Sequence, residues 1–195
     1  AQQHGMQFKF ISRADYRDKT CPEFIKQLKQ EFGEFYLIPE GGSNTLAVQG
    51  CSEILTEQDK QHLDYICCAV GTGGTIAGII ESSSNTQTVL GFPALKGDFL
   101  QAEIEQWTPK TNWQLISDYH FGGYAKTTPE LLQFVQDFKQ TTTIEIEPIY
   151  TGKMLFGLFD LIEKGYCPAN SQIMAIHTGG LQGNLSDRFK GKEYL

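Results

Sequence analysis

The sequence predicts an α/β protein with a doubly wound, mostly parallel sheet. Short apolar segments alternate along the chain with longer segments in which apolar residues recur at helical spacing. Glycine-rich turns follow several of the apolar segments, and residues that commonly begin helices precede several of the amphipathic ones. Because two parallel strands need a long crossover connection, which is usually a helix, this alternation is typical of βα units.

Short apolar runs predict the strands. In chain order these are MQFKFIS (6–12), FYLIP (35–39), YICCAV (65–70), QTVLGFP (87–93), NWQLIS (112–117) and SQIMAIHTGG (171–180). Cys67 and Cys68 are adjacent in one of these runs, so we expect their side chains to point to opposite faces of the sheet. A strand that is apolar on both faces is predicted to be buried.

Amphipathic stretches with recognisable ends predict the helices. In chain order these are residues 21–33, 43–58, 75–83, 97–107, 128–140 and 151–165. Ser43 or Asn44 is a suitable N-cap for the second helix, and Thr128 for the fifth. Gly33 and Gly165 are suitable stops for the first and the last.

The glycine-rich turns are the first indication of a functional edge. Glycines follow three apparent strands, at 41–42, 71–74 and 179–180. Because functional groups in such folds lie at the carboxyl ends of the strands, we expect these turns to gather at one edge of the sheet. The longest irregular stretch, residues 117–128, is also rich in glycine and carries four aromatic or histidine side chains.

Composition and charge exclude several classes of function. The chain has 195 residues, of which 40% are hydrophobic and 20% charged, and its formal net charge is −7. It has no basic stripe that would favour nucleic acid or an anionic membrane, and no apolar run near the roughly 20 residues of a membrane helix. The five cysteines lack the spacing of zinc ligands, so we expect no metal site and reduced thiols in a cytoplasmic protein.

The loop Gly-Thr-Gly-Gly-Thr at 71–75 has the features of an anion site. It lies between an apolar strand and a helix start, where glycines allow close backbone approach and unpaired N–H groups point outward. A dinucleotide fingerprint would need a third glycine where Ile76 stands, and a nucleoside-triphosphate loop would need a lysine, which is absent between Lys60 and Lys96. A monophosphate therefore suits the loop better, and a glycine turn without a ligand is the alternative.

Four motifs, taken together, resemble one enzyme family over nearly the whole chain. They are VGTGGTIAG (70–78), YLIPEGGSNTLAVQGC (36–51), PIYTGKMLFGLFDLIEKG (148–165) and IMAIHTGGLQG (173–183). They resemble the pyridoxal-phosphate enzymes of the tryptophan-synthase β-subunit fold, in the branch that contains 1-aminocyclopropane-1-carboxylate deaminase and D-cysteine desulfhydrase. The resemblance implies part of a smaller domain at 1–60, a larger cofactor-binding domain at 61–195, and a homodimer.

The resemblance also assigns roles to individual residues. The cofactor phosphate would be held by Gly71, Thr72, Gly73, Gly74 and Thr75. Tyr150 would stack on the pyridine ring, although a core tyrosine before a helix is the alternative. Tyr124 would orient the substrate carboxylate or assist proton transfer, or it would only pack in its loop. Ser43 and Asn44 are more readily explained as helix caps than as ligands, and His177 as a core histidine than as a base.

Thr151 and Thr178 are the informative departures from the cyclopropane deaminases, which have Glu and Leu at these places. A carboxylate beside the pyridine nitrogen keeps it protonated and makes the ring a strong electron sink, which a hydroxyl cannot do. The two threonines therefore favour β-elimination from D-cysteine or a similar D-amino acid, with cyclopropane deamination as the alternative. Thr151 as a helix cap is the competing explanation.

The lysine that carries the cofactor in this family has no counterpart here. In the family it lies in an N-terminal motif that is absent from this sequence, and Lys153 does not occupy its place. We therefore expect a C-terminal fragment that lacks the N-terminal third of the family fold and is inactive alone, because covalent catalysis needs that lysine. The alternative from a different class is a non-catalytic binding module that retains the phosphate grip.

Overall fold

The computed structural model describes residues 2–185, and it divides the chain into two compact units after Ile38. The second unit begins at Pro39 and contains the sheet. This division precedes residue 60, where the family resemblance places a domain boundary, and that boundary stays a prediction. Among residues 2–185, no helix combines the length and the apolar character that crossing a membrane would require.

The first unit contains two helices with well-defined starts. Helix α1 (Arg13–Arg17) begins after Ser12, whose hydroxyl accepts a hydrogen bond from a backbone N–H of the first turn. Helix α2 (Pro22–Phe32) has proline in its first turn and ends at Gly33, which takes a positive φ of 76°. The sequence prediction for this second helix is confirmed.

The second unit confirms the predicted α/β class. Its elements in chain order are α3 (Thr45–Cys51), α4 (Asp59–His62), β1 (Tyr65–Val70), α5 (Gly74–Ser82), β2 (Thr88–Pro93), α6 (Phe99–Glu105), β3 (Trp113–Leu115), α7 (Pro129–Thr142), α8 (Thr151–Glu163) and β4 (Ile173–Ile176). The four strands lie in the order β3-β2-β1-β4, and every neighbouring pair is parallel.

Helices cover both faces of this sheet. On one face, Cys68 packs in a buried cluster with the apolar residues of α5 and α6. On the other, Cys67 packs with those of α7 and α8. The opposite orientation of the two cysteines is thus confirmed, and the sheet is doubly wound around a strand, β1, that is apolar on both faces.

Two predicted strands, residues 6–12 and 35–39, are wrong, since neither belongs to the sheet. An apolar run becomes a strand only where a neighbouring strand accepts its backbone hydrogen bonds, and the described chain offers these runs no such partner. The helix predicted at 43–58 is also divided. It stops after Cys51, and reciprocal hydrogen bonds between Thr56 and Asp59 begin the separate helix α4.

The close approach of α3 to α5 depends on Gly78. A Cβ atom there would lie 2.5 Å from both the Cβ of Cys51 and the carbonyl oxygen of Val48. The absence of a side chain therefore lets the two helices pack closely, and it lets α3 lie against the helix that follows the glycine loop.

We predict that Gly78→Ala destabilises the protein by about 1–3 kcal/mol, because overpacking outweighs the better helix propensity of alanine. Gly50→Ala on the facing helix is the matched control, since a Cβ there meets nothing within 4 Å. The control should leave the free energy of unfolding unchanged or raise it by up to about 1 kcal/mol. Urea denaturation of the two variants measures the difference, and equal stability would contradict the packing argument.

Candidate functional site

A cavity of about 240 Å³ lies at the carboxyl ends of β1 and β4. Helix α5 leaves β1 over one face of the sheet, while α8 approaches β4 over the other, so the strand order reverses between these two strands. Ligands of open α/β sheets bind at such a switch point. The cavity is lined by Gly41, Ala69, Val70, Gly71, Thr72, Gly73, Gly74, Thr75, Ile76, Tyr150 and Thr178.

This lining brings together most of the predicted site. All five residues of the phosphate loop line the cavity, together with Tyr150 and Thr178. Gly41 also lines it, so two of the three glycine turns meet at the cavity, although the turn at 41–42 does not follow a strand. Gly179 and Gly180 are not part of the lining, and the residue before them, Thr178, is. Thr151 and Tyr124 are not part of the lining.

The glycine loop presents backbone N–H groups without side chains in the way. Gly73 begins α5 with a left-handed φ of 92°, and no side chain caps this end of the helix. A Cβ on Gly74 would lie 2.9 Å from Ser43 Oγ, and one on Gly71 would lie 3.3 Å from the ring of Tyr150. The loop is therefore a cradle for a small anion, and these residues fit the phosphate of the cofactor that the motifs imply.

Ser43 joins this loop instead of capping α3. Its hydroxyl lies 2.6 Å from the hydroxyl of Thr72, whereas Asn44 Oδ1 accepts the capping hydrogen bond from the N–H of Ala47 at 2.8 Å. A Cβ on Gly41 would overlap the Thr72 side chain, so the turn at 41–42 also packs closely on the loop. Sequence reasoning favoured Ser43 as a helix cap over Ser43 as a ligand, and its pairing with a residue 29 positions away leaves no local signal.

Tyr150 stands beside the loop with a neutral hydroxyl. Its ring lies against Gly71 and meets the ring of Tyr124 edge to face, with centroids 6.0 Å apart. Burial, followed by the neighbouring Tyr124 hydroxyl, raises the pKa of Tyr150 to about 12. Tyr124 itself is 55% exposed and therefore accessible from solvent beside the cavity. The pair can hold or pass a proton at the edge of the site.

Thr151 does not reach the cavity, where the family resemblance placed it. Its side chain is fully buried, and its hydroxyl donates to Glu147 Oε1 at 3.1 Å and accepts from the N–H of Glu147 at 3.2 Å. It does not cap its helix either, because it is already the first helical residue. Thr178, by contrast, lines the cavity as predicted, although its role beside a pyridine nitrogen stays a prediction.

Glu147 is a functional neighbour that sequence reasoning missed. Its carboxylate is buried and accepts hydrogen bonds from the backbone N–H groups of Ile149, Tyr150 and Thr151 at 2.6–3.1 Å. These are the unpaired donors at the start of α8, so the carboxylate holds the segment that carries Tyr150. An acidic residue shortly before a helix start was the available signal.

His177 is exposed, not in the core as expected. It follows β4, which is an edge strand among the strands formed by residues 2–185. Its Nε2 donates to the carbonyl oxygen of Glu145 at 2.8 Å, because its Nδ1 is already the acceptor for the N–H of Gly179 at 3.0 Å. The histidine thus ties the last glycine turn to the segment that precedes α8.

We predict that Glu147→Gln lowers the free energy of unfolding by about 1–3 kcal/mol. The hydrogen bonds to a buried carboxylate are replaced by weaker ones to a neutral amide oxygen, and the NH2 group of the new glutamine side chain faces the backbone N–H donors of α8. Glu145→Gln is the matched control. Its carboxylate is exposed and pairs only with Lys139 in the described chain, so stability should hardly change. Denaturant titration compares them, and similar losses in both variants would contradict a capping role.

The comparisons with known proteins agree with this geometry. Residues 2–179 match the model of a family described as pyridoxal-phosphate dependent enzymes. A putative 1-aminocyclopropane-1-carboxylate deaminase of Pyrococcus abyssi is 31% identical over 85% of this chain and 56% of its own length. A mitochondrial bifunctional D-cysteine desulfhydrase/1-aminocyclopropane-1-carboxylate deaminase of Arabidopsis thaliana is 33% identical over 92% of this chain and 51% of its own length.

Solved structures give the same result. The crystal structure of an ACC deaminase homologue superposes with a TM-score of 0.78 at 26% identity, covering 94% of this chain and 61% of that one. An O-acetylserine dependent cystathionine β-synthase from Helicobacter pylori, at 15% identity and a TM-score of 0.60, shares the fold. The chain spans about half the length of the curated relatives it matches. With its cradle for a phosphate at the switch point of the sheet, the chain belongs to the family of pyridoxal-phosphate dependent enzymes.

Proposed function

We propose that the enzyme of which this chain forms a part is a pyridoxal-phosphate dependent lyase that catalyses β-elimination from D-cysteine or a similar small D-amino acid. With water, D-cysteine would give pyruvate, ammonia and hydrogen sulfide. The Cα–H and Cβ–S bonds break, and the sulfur leaves with the electron pair of the Cβ–S bond. When bound, the cofactor supplies the electron sink for the pair left by the α-proton.

The observation that carries this proposal is the character of the cavity wall. Among the described residues, the lining consists of backbone amides, threonine hydroxyls, aliphatic groups and one tyrosine ring, without a carboxylate. The nearby Glu147 is occupied by the N–H donors of α8. A ring nitrogen in this environment would stay unprotonated, which suits elimination of a good leaving group such as thiolate better than the opening of a cyclopropane ring.

Each residue of the candidate site would bind the cofactor or the substrate, or would assist proton transfer. The amides of residues 71–75 and the hydroxyls of Thr72 and Thr75 bind the phosphate. The Tyr150 ring orients the pyridine. The Tyr124 hydroxyl, next to the Tyr150 ring, orients the substrate carboxylate or assists proton transfer. Thr178 offers a neutral hydroxyl from the end of β4.

The chain by itself would be inactive. Among the described residues, no lysine lines the cavity, and Lys153 in the first turn of α8 donates its N–H groups to three backbone carbonyls. Covalent catalysis by the enzymes that use this cofactor needs a lysine at the site. A binding module that keeps only the phosphate grip is the candidate from another class, supported by the same observation.

Deamination of 1-aminocyclopropane-1-carboxylate is the second candidate reaction. The names of both curated relatives include it, and one of these names includes the two activities together.

We also propose a homodimer, following the family resemblance, and a cytoplasmic location. All five cysteines are free thiols, which suits a reducing compartment.

We predict that Thr75→Val weakens binding of pyridoxal phosphate to this chain about tenfold, because a hydroxyl donor to the phosphate is lost. Pyridoxal without its phosphate should bind both proteins equally weakly. Thr141→Val, on the exposed side of α7, is the matched control and should change nothing. Equilibrium dialysis measures the affinities. Equal binding of pyridoxal phosphate to the wild type and to Thr75→Val would contradict the proposed grip.

For the whole enzyme with its cofactor, we predict turnover of D-cysteine with release of sulfide, and turnover of 1-aminocyclopropane-1-carboxylate at least about tenfold slower, a difference of about 1.4 kcal/mol in activation free energy. Parallel assays of sulfide and of the two α-keto acids measure this ratio. Thr178→Leu should shift the ratio toward the cyclopropane. Exclusive turnover of the cyclopropane by the wild type would overturn the assignment.

A further inference from the structure

Lys153, in the first turn of α8, carries a buried ammonium group that the proposed reaction does not use. The residue is only 1% exposed. Its Nζ donates to the carbonyl oxygens of Gly123 at 2.8 Å, of His120 at 2.9 Å and, more weakly, of Ala94 at 3.5 Å. An ammonium has three N–H donors, so each one has a backbone acceptor.

These carbonyls belong to two different loops. Ala94 directly follows β2, and the other two lie in the loop after β3. That second loop is conformationally costly. Phe121 and Ala125 have left-handed φ values of 54° and 53°, and the two glycines between them are also at positive φ. Non-glycine residues in this region are strained, so surrounding contacts must hold the loop in this shape.

The loop delivers Tyr124 to the site. Tyr124 directly follows Gly123, whose carbonyl accepts the closest of the three ammonium hydrogen bonds. Its ring meets that of Tyr150, which lies three residues before Lys153 at the start of the same helix. One end of Lys153 is therefore attached to the backbone that carries Tyr150, and the other end is bonded to the loop that carries Tyr124.

We propose that Lys153 is a positioning residue that links the start of α8 to the loop after β3 and thereby fixes Tyr124 against Tyr150 beside the cavity. This inference rests on the proposed function for its catalytic meaning, but the geometric claim does not depend on it. A role in packing alone is less suited to the observations, because a hydrophobic side chain of similar length would fill the space without the cost of burying a charge.

The ammonium form is the one that fits this role. Burial lowers the pKa of Lys153 to about 8, and the negative charge of Glu147 opposes that shift. The group is therefore mostly protonated at pH 7, where its three donors match three acceptors. The nearby charge of Glu147 is itself held by the N–H groups of α8, so the two buried groups bond to different partners.

The test is Lys153→Met, followed by NMR of the protein with ring-labelled tyrosine. In the wild type, the rings of Tyr124 and Tyr150 should show a mutual nuclear Overhauser effect. In the variant this effect should disappear, and Tyr150 should titrate at lower pH, because it loses the neighbouring hydroxyl that helps to raise its pKa. Lys139→Met, which removes an exposed lysine on α7, is the matched control and should change neither signal.

A second variant separates positioning from general damage. In Lys153→Ala, added ammonium or methylammonium chloride should restore the Tyr124–Tyr150 signal, whereas the same concentration of sodium chloride should not, because only the former supply N–H donors to the vacated carbonyls. An unchanged ring contact in Lys153→Met, or no selective rescue in a folded Lys153→Ala, would overturn the proposal.

Where both variants fail to fold, hydrogen exchange of the wild type decides. The amides of Gly123 and Lys126, which are hydrogen-bonded within the loop, should exchange as slowly as those of the first turns of α8. Rapid exchange in the loop beside a protected α8 would overturn the proposal. None of these measurements uses cofactor or substrate, so a failure of the proposed lyase activity would leave their outcome unaffected.

Discussion

The parallel pairing of β1 with both β2 and β4 is the constraint on which the site depends. Because these strands run in the same direction, their backbone hydrogen bonds place the carboxyl ends of β1 and β4 side by side. The helices that connect these strands cover opposite faces, so no connection closes the space between the two strand ends. The glycine loop after β1 and Thr178 after β4 therefore share one cavity, although more than a hundred residues separate them.

Two buried charges organise the start of α8 in complementary ways. Glu147 bonds to backbone N–H groups that a helix start leaves unpaired. Lys153 adds a second hydrogen bond to the carbonyls of His120 and Gly123, each of which already accepts a backbone N–H within its loop. Both groups therefore hold irregular backbone in place next to α8. Their combined effect is that Tyr150 and Tyr124, from different segments, meet at the edge of the cavity.

Membership of the pyridoxal-phosphate dependent family gives this arrangement its chemical meaning. Among the described residues, the cavity is lined by a glycine loop that fits a phosphate, by an aromatic side chain and by neutral hydroxyls. The side chains around a site decide which reaction an enzyme of a given fold catalyses, because the fold determines only where the site lies.

Local physics made part of this protein predictable from its sequence. The loop at 71–75, the two-faced burial of Cys67 and Cys68, and the caps and stops of the long helices each follow from residues within a few positions of one another. That the loop after β1 and the end of β4 lie at one edge followed from the direction of parallel strands, which alternation with helices already implied.

Only the tertiary structure decided where long-range partners stand. The apolar runs at 6–12 and 35–39 have strand-like composition, but a strand exists only where a neighbour completes its hydrogen bonds. In the same way, Ser43 turned to Thr72, a hydrogen-bonding partner 29 positions away that its immediate sequence does not reveal. Thr151 bonds to Glu147 only four positions earlier, but the fold of this segment decided that its hydroxyl lies there and not in the cavity. The sequence by itself therefore determined the glycine loop between β1 and α5, whereas the side chains around it were placed by packing between distant segments.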